Sequence, residues 1–501
     1  MSTEQITPTA APAQRLGRPI LSTWEAIAQS LAIGPIFSVA FVATLVIGAA
    51  GISTPISFLL AAIGMLSVGW MITLYARRYA GAGAIYDYLR RISPVIGIVA
   101  ACLYFTGILV LAGIGGYPAI GLLTSTLFHT AFGLSLPWWI YAIIAICGIF
   151  LLNHFGIRIT TRVQLVLTGL STLPLLFLAL VIIVKGGDAG NSLEMFNPAH
   201  ASVSGLFQGI LFAITMFIGF EASASLGEET ADPRRSIPRA IAGTVIIAAV
   251  FYLIITYASG IGFGLAHADQ WAKDGSPLDT LGTRYVGPWL AVLIDIAVVI
   301  DVIVSVSAFT ATTARGIFAL ARHGFLPQVM ARTTNFRTRP DTPLGGNLFV
   351  FSCAVIVTIF LAIIGADPMT AFNIFASWGT ILITTIYLVL VLCAVTILRE
   401  EPKKWWRWII FVIALIAPVL GLYGSVIPFP QWPNNIAPFG SLAVIVIAAI
   451  WAFVVRSNKP ELLAEASKAH VWEDEPISVV AAEGGTIPEE DEEASAQPAQ
   501  E

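Results

Sequence analysis

The chain has 501 residues, 57% of them hydrophobic and 11% charged. A soluble domain carries about 25% charged residues, so the composition excludes a water-soluble globular protein. The formal net charge is −4, and no nucleic-acid partner is expected. The charge is unevenly spread. Twelve Asp or Glu against two Lys lie between Lys459 and Glu501, leaving a basic body and an acidic tail.

Residues 1–19 are polar and rich in Pro, Ala and Thr, too poor in apolar residues for a signal peptide. They read as a disordered cytoplasmic arm. Crossing the hydrocarbon takes about 20 apolar residues. Twelve stretches fit: 24–50, 54–77, 95–126, 137–153, 161–184, 203–227, 239–264, 286–321, 344–364, 371–398, 406–427 and 437–456. The expected fold is an all-α integral membrane protein with 12 transmembrane helices. Residues 458–501 read as an acidic, disordered cytoplasmic tail. Cys102, Cys147, Cys353 and Cys393 lie inside apolar stretches without ligand-like spacing, as small core residues do.

Orientation follows from Lys and Arg. Counting Arg315 with the loop after span 8, and arginines at span ends with the adjoining loop or terminus, all but Lys185, Lys273 and Arg284 of the 26 belong to the two termini or to the loops after even-numbered spans. The positive-inside rule then puts both termini in the cytoplasm, with the plasma (cell inner) membrane as the expected location. Trp405, Trp406 and Trp408 beside Lys403 and Lys404 resemble an interfacial belt touching membrane lipids.

Span 1 is interrupted at Ala32-Ile33-Gly34-Pro35-Ile36-Phe37 and span 6 at Ile218-Gly219-Phe220-Glu221. Each opens a five-span unit, 20–185 and 200–400. An odd span count per unit inverts the second copy, giving a 5+5 inverted repeat core over 20–400. Spans 11 and 12, within 401–457, fall outside it. Paired interruptions in corresponding helices point to the binding site of a secondary transporter. The six histidines are scattered without a nucleophile–base or metal constellation, so no enzymatic activity and no cofactor are expected.

Five motifs in order resemble the amino acid–polyamine–organocation permeases, which have the LeuT-type fold. They are Gly34-Pro35-Ile36-Phe37; the small-residue turn and Tyr-x-Tyr of Ala76 to Tyr88; Leu152-Asn153-His154-Phe155-Gly156 with Arg162-Val163-Gln164; Gly219-Phe220-Glu221 with Glu228-Glu229-Thr230 and Asp232-Pro233-Arg234-Arg235; and Arg315 with Ala319 to Pro327. The resemblance covers about residues 22–400. It implies uptake of amino acids by alternating access, driven by protons or sodium ions, with polyamine transport or amino acid exchange as the other readings.

It also implies a site built from Ala32, Ile33, Gly34, Pro35 and Ile36 of span 1 with Phe217, Ile218, Gly219 and Phe220 of span 6. Half-helix N–H groups suit a substrate carboxylate, and free carbonyls suit its ammonium. Phe217 or Phe220 can cover the substrate or simply pack. Glu221, deep in the membrane, fits a proton-coupling or gating group or a structural hydrogen bond to the other broken helix. Asp301 in span 8 fits coupling, amine binding or a helix–helix bond. Ser307 and Thr310 can bind an ion with span 1 carbonyls or bond back to their own helix. Glu228 and Glu229 are expected to pair with the basic loop Arg234–Arg239. Two departures stand out: Pro35 has no N–H to donate, and Ser171 stands where many sodium-independent relatives carry a Lys.

Overall fold

The computed structural model describes residue 16 and residues 19–31, 34–79, 81–188, 190–200, 202–334, 342–400 and 404–468. Ala32 and Ile33, and most of the expected arm and acidic tail, lie outside the described residues. Those described are almost wholly helical, with one isolated bridge between Leu21 and Thr230.

The chain opens with α1 (Thr23–Leu31), α2 (Pro35–Phe37) and, through the π-turn Ser38–Val42, α3 (Ala43–Ala50). Then come α4 (Thr54–Ala76), α5 (Ile85–Leu89), α6 (Pro94–Ile108), α7 (Gly116–Phe132), α8 (Trp138–His154), α9 (Ile157–Lys185) and α10 (Val203–Thr215). The second half has α11 (Pro233–Phe263), α12 (Ala268–Lys273), α13 (Pro277–Tyr285), α14 (Pro288–Arg322), α15 (Leu344–Ile363) and α16 (Pro368–Cys393). It closes with α17 (Val395–Glu400), α18 (Trp406–Val426), α19 (Ile436–Asn458) and α20 (Pro460–Lys468).

The starts are written in the sequence. Ser22 and Glu25 form a capping box at α1: the Ser22 N–H donates to Glu25 Oε2 at 2.8 Å and the Glu25 N–H to Ser22 Oγ at 3.4 Å. Pro sits in the first turn of α4, α6, α11, α13, α14 and α16, where its missing N–H costs nothing. Among the described residues nine helical stretches are long and apolar enough to cross a membrane, and α8 and α10 are shorter apolar helices. The first of the nine, Thr23–Ala76, contains both the break at Gly34 and the turn at Gly51–Ser53.

Burial sorts these helices. α14 is buried along most of its length, packing on α9, α15, α7 and α6. α18 and α19 turn Ile409, Val412, Ile416, Ile447, Ile450 and Phe453 outward. Apolar side chains on the outside and polar ones inside invert the soluble pattern, as lipid requires. Asp301, Ser305, Ser307 and Thr310 of the central helix are buried.

Candidate functional site

The first break is built by Gly34, whose φ of +73° and ψ of 55° lie in the left-handed region that favours glycine. Pro35 opens α2, so its first N–H groups belong to Ile36 and Phe37. Both donate to Asp301 Oδ2, at 3.0 and 2.9 Å. The Asp301 residue is 1% exposed, and its Oδ1 has no hydrogen-bond partner among the described residues. A Cβ at Gly34 would stand 3.2 Å from Ser305 Oγ and 3.5 Å from Asp301 Oδ2. The glycine therefore lets α14 approach the broken backbone closely.

The second break follows α10, which stops at Thr215, earlier than the expected end of span 6. Gly219 has φ +103°. Glu221 beside it is fully buried and accepts from the Tyr104 hydroxyl at 2.9 Å and from the Tyr387 hydroxyl. Tyr387 in turn accepts from the Gly219 N–H at 3.3 Å. Glu221 thus ties the break to α6 and α16, not to the other broken helix. Phe217 packs edge-on against Tyr252, with centroids 5.2 Å apart, and Phe220 lies 5.7 Å from the Tyr387 ring. Both phenylalanines and Ile218 are buried. The two breaks meet where the Ser223 N–H donates to Ser30 Oγ at 3.0 Å.

α14 presents two different faces. Toward the first break it turns Asp301, Ser305, Ala308 and Thr312, spaced four, three and four residues apart as one helical stripe requires. Gln29 Nε2 of α1 donates to the Ala308 carbonyl at 2.9 Å and to Thr312 Oγ1 at 3.2 Å. Ser307 and Thr310 lie elsewhere. Ser307 Oγ donates to Asn153 Oδ1 at 3.4 Å and accepts from Gln164 Nε2 at 3.5 Å, while Thr310 lines a small cavity with Tyr117, Asn153 and Asn347. Of the two readings open for Ser307 and Thr310, the fold does not bring them to the first break. The hydroxyls facing α1 and α2 are Ser305 and Thr312. Asp295 turns away to meet Asp279 of α13, whose carboxyl is pushed up to about 7 by burial and by the Asp295 charge.

One end of the bundle is closed by ion pairs. Arg315 grips Glu229 through Nε at 2.6 Å and Nη2 at 3.1 Å, with both side chains buried. Arg322 reaches Glu228 at 2.7 and 3.1 Å. Glu228 also accepts the N–H groups of Leu16 and Ala82, both at 3.2 Å. This corrects the expected pairing of the two glutamates with Arg234–Arg239; of that loop, Arg235 instead pairs with Asp232. Nearby, Asp87 is paired with Arg90 at 2.8 Å. Burial pushes its carboxyl up, but the Arg90, His323 and Arg322 charges and the Gly83 N–H outweigh this and hold it below the usual range. His323 shares a 3.0 Å hydrogen bond with Tyr86, and burial lowers its pKa to about 4.

Sequence reasoning missed Tyr104, Tyr387 and Ser30. The available signal was a Tyr or Ser inside an otherwise apolar stretch, where the hydroxyl must find a buried partner.

Two helix breaks facing each other inside a polytopic helical bundle, each beside a buried carboxylate, are the architecture of a multi-pass membrane transport protein. The family comparison agrees: residues 21–459 match the Amino acid permease model, and the chain belongs to that family, whose members are permeases and not enzymes. Residues of the chain are 26% identical over 212 positions to the low-affinity putrescine importer of Escherichia coli, covering 40% of this chain and 45% of the importer. The chain is 22% identical to the chloroplastic cationic amino acid transporter 6 of Arabidopsis thaliana, over 82% of this chain and 72% of that one. It is 25% identical to the serine/threonine exchanger of Bacillus subtilis, over 74% and 80%.

Proposed function

We propose that the chain is a secondary active transporter that moves amino acids across the plasma membrane by alternating access, as uptake driven by protons or sodium ions. One observation carries the reading: breaks at Gly34 and Gly219, joined through Ser30 and Ser223, lie beside two buried carboxylates, Asp301 on the Ile36 and Phe37 N–H groups and Glu221 on the Tyr104 and Tyr387 hydroxyls. Buried carboxylates at a break are unfavourable for a simple anchor and suit a solute with an ammonium group. The substrate site comprises Ala32, Ile33, Gly34, Pro35 and Ile36 with Phe217, Ile218, Gly219 and Phe220. Glu221 and Asp301 are the coupling or gating acids. Ser305 and Thr312 replace Ser307 and Thr310 as the hydroxyls for an ion at the first break.

The topology proposed has twelve spans, a five-plus-five inverted repeat and both termini in the cytoplasm, supported by the distribution of Lys and Arg. A second reading is transport of a polyamine or other organic cation. It is favoured by Asp301 already holding the Ile36 and Phe37 amides, which a solute without a carboxylate leaves undisturbed, and by the likeness to a putrescine importer.

The test is uptake of single labelled amino acids and putrescine into proteoliposomes, with an inward proton gradient, an inward sodium gradient or neither. Gradient-stimulated amino acid uptake is expected. Uptake of putrescine alone supports the second reading. Amino acid uptake that needs internal substrate makes the protein an exchanger, and no uptake under any condition overturns transport.

A further inference from the structure

The amides at the start of the second half of span 1 are already occupied, and by the chain itself. From Pro35 the helix runs on through the π-turn to Ala50. Its first donors converge on one oxygen of a carboxylate 265 and 264 residues away in sequence. Asp301 therefore stands where the N-terminus of a half-helix offers its N–H groups and partial positive charge to an anion. Its other oxygen is buried and without a partner among the described residues.

We propose that Asp301 and the carboxylate of an amino acid substrate compete for the Ile36 and Phe37 amides, and that the substrate gains them only when Asp301 carries a proton. The proposal rests on the transport reading above. Two ionised carboxylates cannot share one pair of amides in a dry site, because like charges at that distance disfavour double ionisation. Exchanging an ionised Asp301 for a protonated one plus a substrate carboxylate leaves the charge at the amides unchanged. The proton comes from the side the solute enters and leaves Asp301 when the solute departs, so each carboxylate carried brings one proton. Protonation also weakens Asp301 as an acceptor, since the charge-assisted bonds to the two N–H groups are the strong ones.

The surroundings leave Asp301 to act alone. Tyr252 of α11 is the titratable group that feels its charge, and the Tyr252 hydroxyl donates to the Met216 carbonyl at 2.9 Å. Among the described residues, α2, α7, α9 and α15 bring no ionic group to it. Asp295 on the same helix faces Asp279, and Glu221 is held by Tyr104 and Tyr387. Ser305 lies one turn along the same face, beside the site of the Gly34 Cβ.

The experiment is binding of labelled amino acids and putrescine to the purified full chain in nanodiscs across about pH 5 to 9, for the parent and Asp301→Asn. Above the Asp301 titration, parent affinity for the amino acid should fall about tenfold per pH unit, the signature of one linked proton. Asp301→Asn should bind it with no such slope. Calorimetry of the parent in buffers of different ionisation heat should show one proton taken up per amino acid, a result that needs no variant. A flat parent profile with zero proton uptake, or a variant keeping the parent's slope, overturns the competition. Loss of all ligand binding in a folded Asp301→Asn also overturns it and makes Asp301 the ammonium ligand. Putrescine bound alone, without proton uptake, overturns it while leaving the organic-cation reading intact. A parent that binds nothing at any pH takes down the transport reading, and the competition with it.

Discussion

Replacing Glu229 by Gln strips Arg315 of its counter-ion while leaving one amide oxygen to accept a hydrogen bond. Both side chains are at most 4% exposed, and breaking a buried pair by removing one partner typically costs about 3–5 kcal/mol. The retained hydrogen bond argues for the lower end. The penalty acts only while this end of the bundle is shut, because an opened end hydrates Arg315. About 3 kcal/mol therefore shifts the shut–open equilibrium roughly a hundredfold toward open. The readout is amide hydrogen exchange of the segments this closure holds. The Ile20 and Leu21 N–H groups donate to the Glu229 carbonyl at 3.0 and 2.9 Å, and the Ala231 N–H to the Leu21 carbonyl at 3.0 Å. Exchange there should accelerate on the order of a hundredfold, and Glu229→Leu combined with Arg315→Met should restore it. Exchange in Glu229→Gln within about threefold of the parent would refute the reasoning.

Gly219→Val should abolish solute binding, because a β-branched residue is strained at φ +103° by about 1–3 kcal/mol; retained affinity would show that the second break is not the site. Glu221→Ala should lower thermal stability far more than Glu221→Gln. Alanine leaves the Tyr104 and Tyr387 hydroxyls without their acceptor, at about 1–3 kcal/mol for each buried group, and equal melting temperatures for the two variants would contradict this. Glu221→Gln should also impair coupled uptake in the folded protein, a role lost if its uptake matches the parent at every external pH. Acidification should loosen the end that holds His323. Its folded pKa of about 4 lies below the ordinary 6.5, so the folded state binds fewer protons and stability present above 6.5 is lost as pH falls toward 4. At about pH 5.5 the loss is about 1 kcal/mol, read as a drop in melting temperature that His323→Gln should abolish.

How much of this was legible depends on how far apart the interacting residues stand. The two breaks could be read because Gly34 with Pro35, and Gly219 with Glu221, are local anomalies in otherwise apolar helices. The capping box of Ser22 and Glu25 and the prolines at helix starts are equally local. The partner of the Ile36 amide could not be read, since Asp301 lies 265 residues away and only folding sets which face of α14 meets α2. The same uncertainty put Ser307 and Thr310 at the first break. Finding the stripe of Asp301, Ser305, Ala308 and Thr312 needs the helix phase to be anchored at a known contact. Glu228 and Glu229 were assigned to the nearest arginines in sequence. The buried arginines of α14 prevailed because burial makes their pairing obligatory, while Arg235 is largely exposed and gains little from an ion pair.

The fully buried Leu16, packed against Ala82, Phe318, Ala321 and Ala331, gives its N–H to a glutamate 212 residues later. A ribosome adding about 5–20 residues per second makes Leu16 roughly 10 to 40 seconds before that glutamate exists. Phe318 and Ala331 come later still. Leu16 thus waits, unhoused, until most of the bundle has been synthesised. Its burial is a late step of biogenesis, and a protease site placed just ahead of Leu16 would distinguish finished molecules from stalled ones.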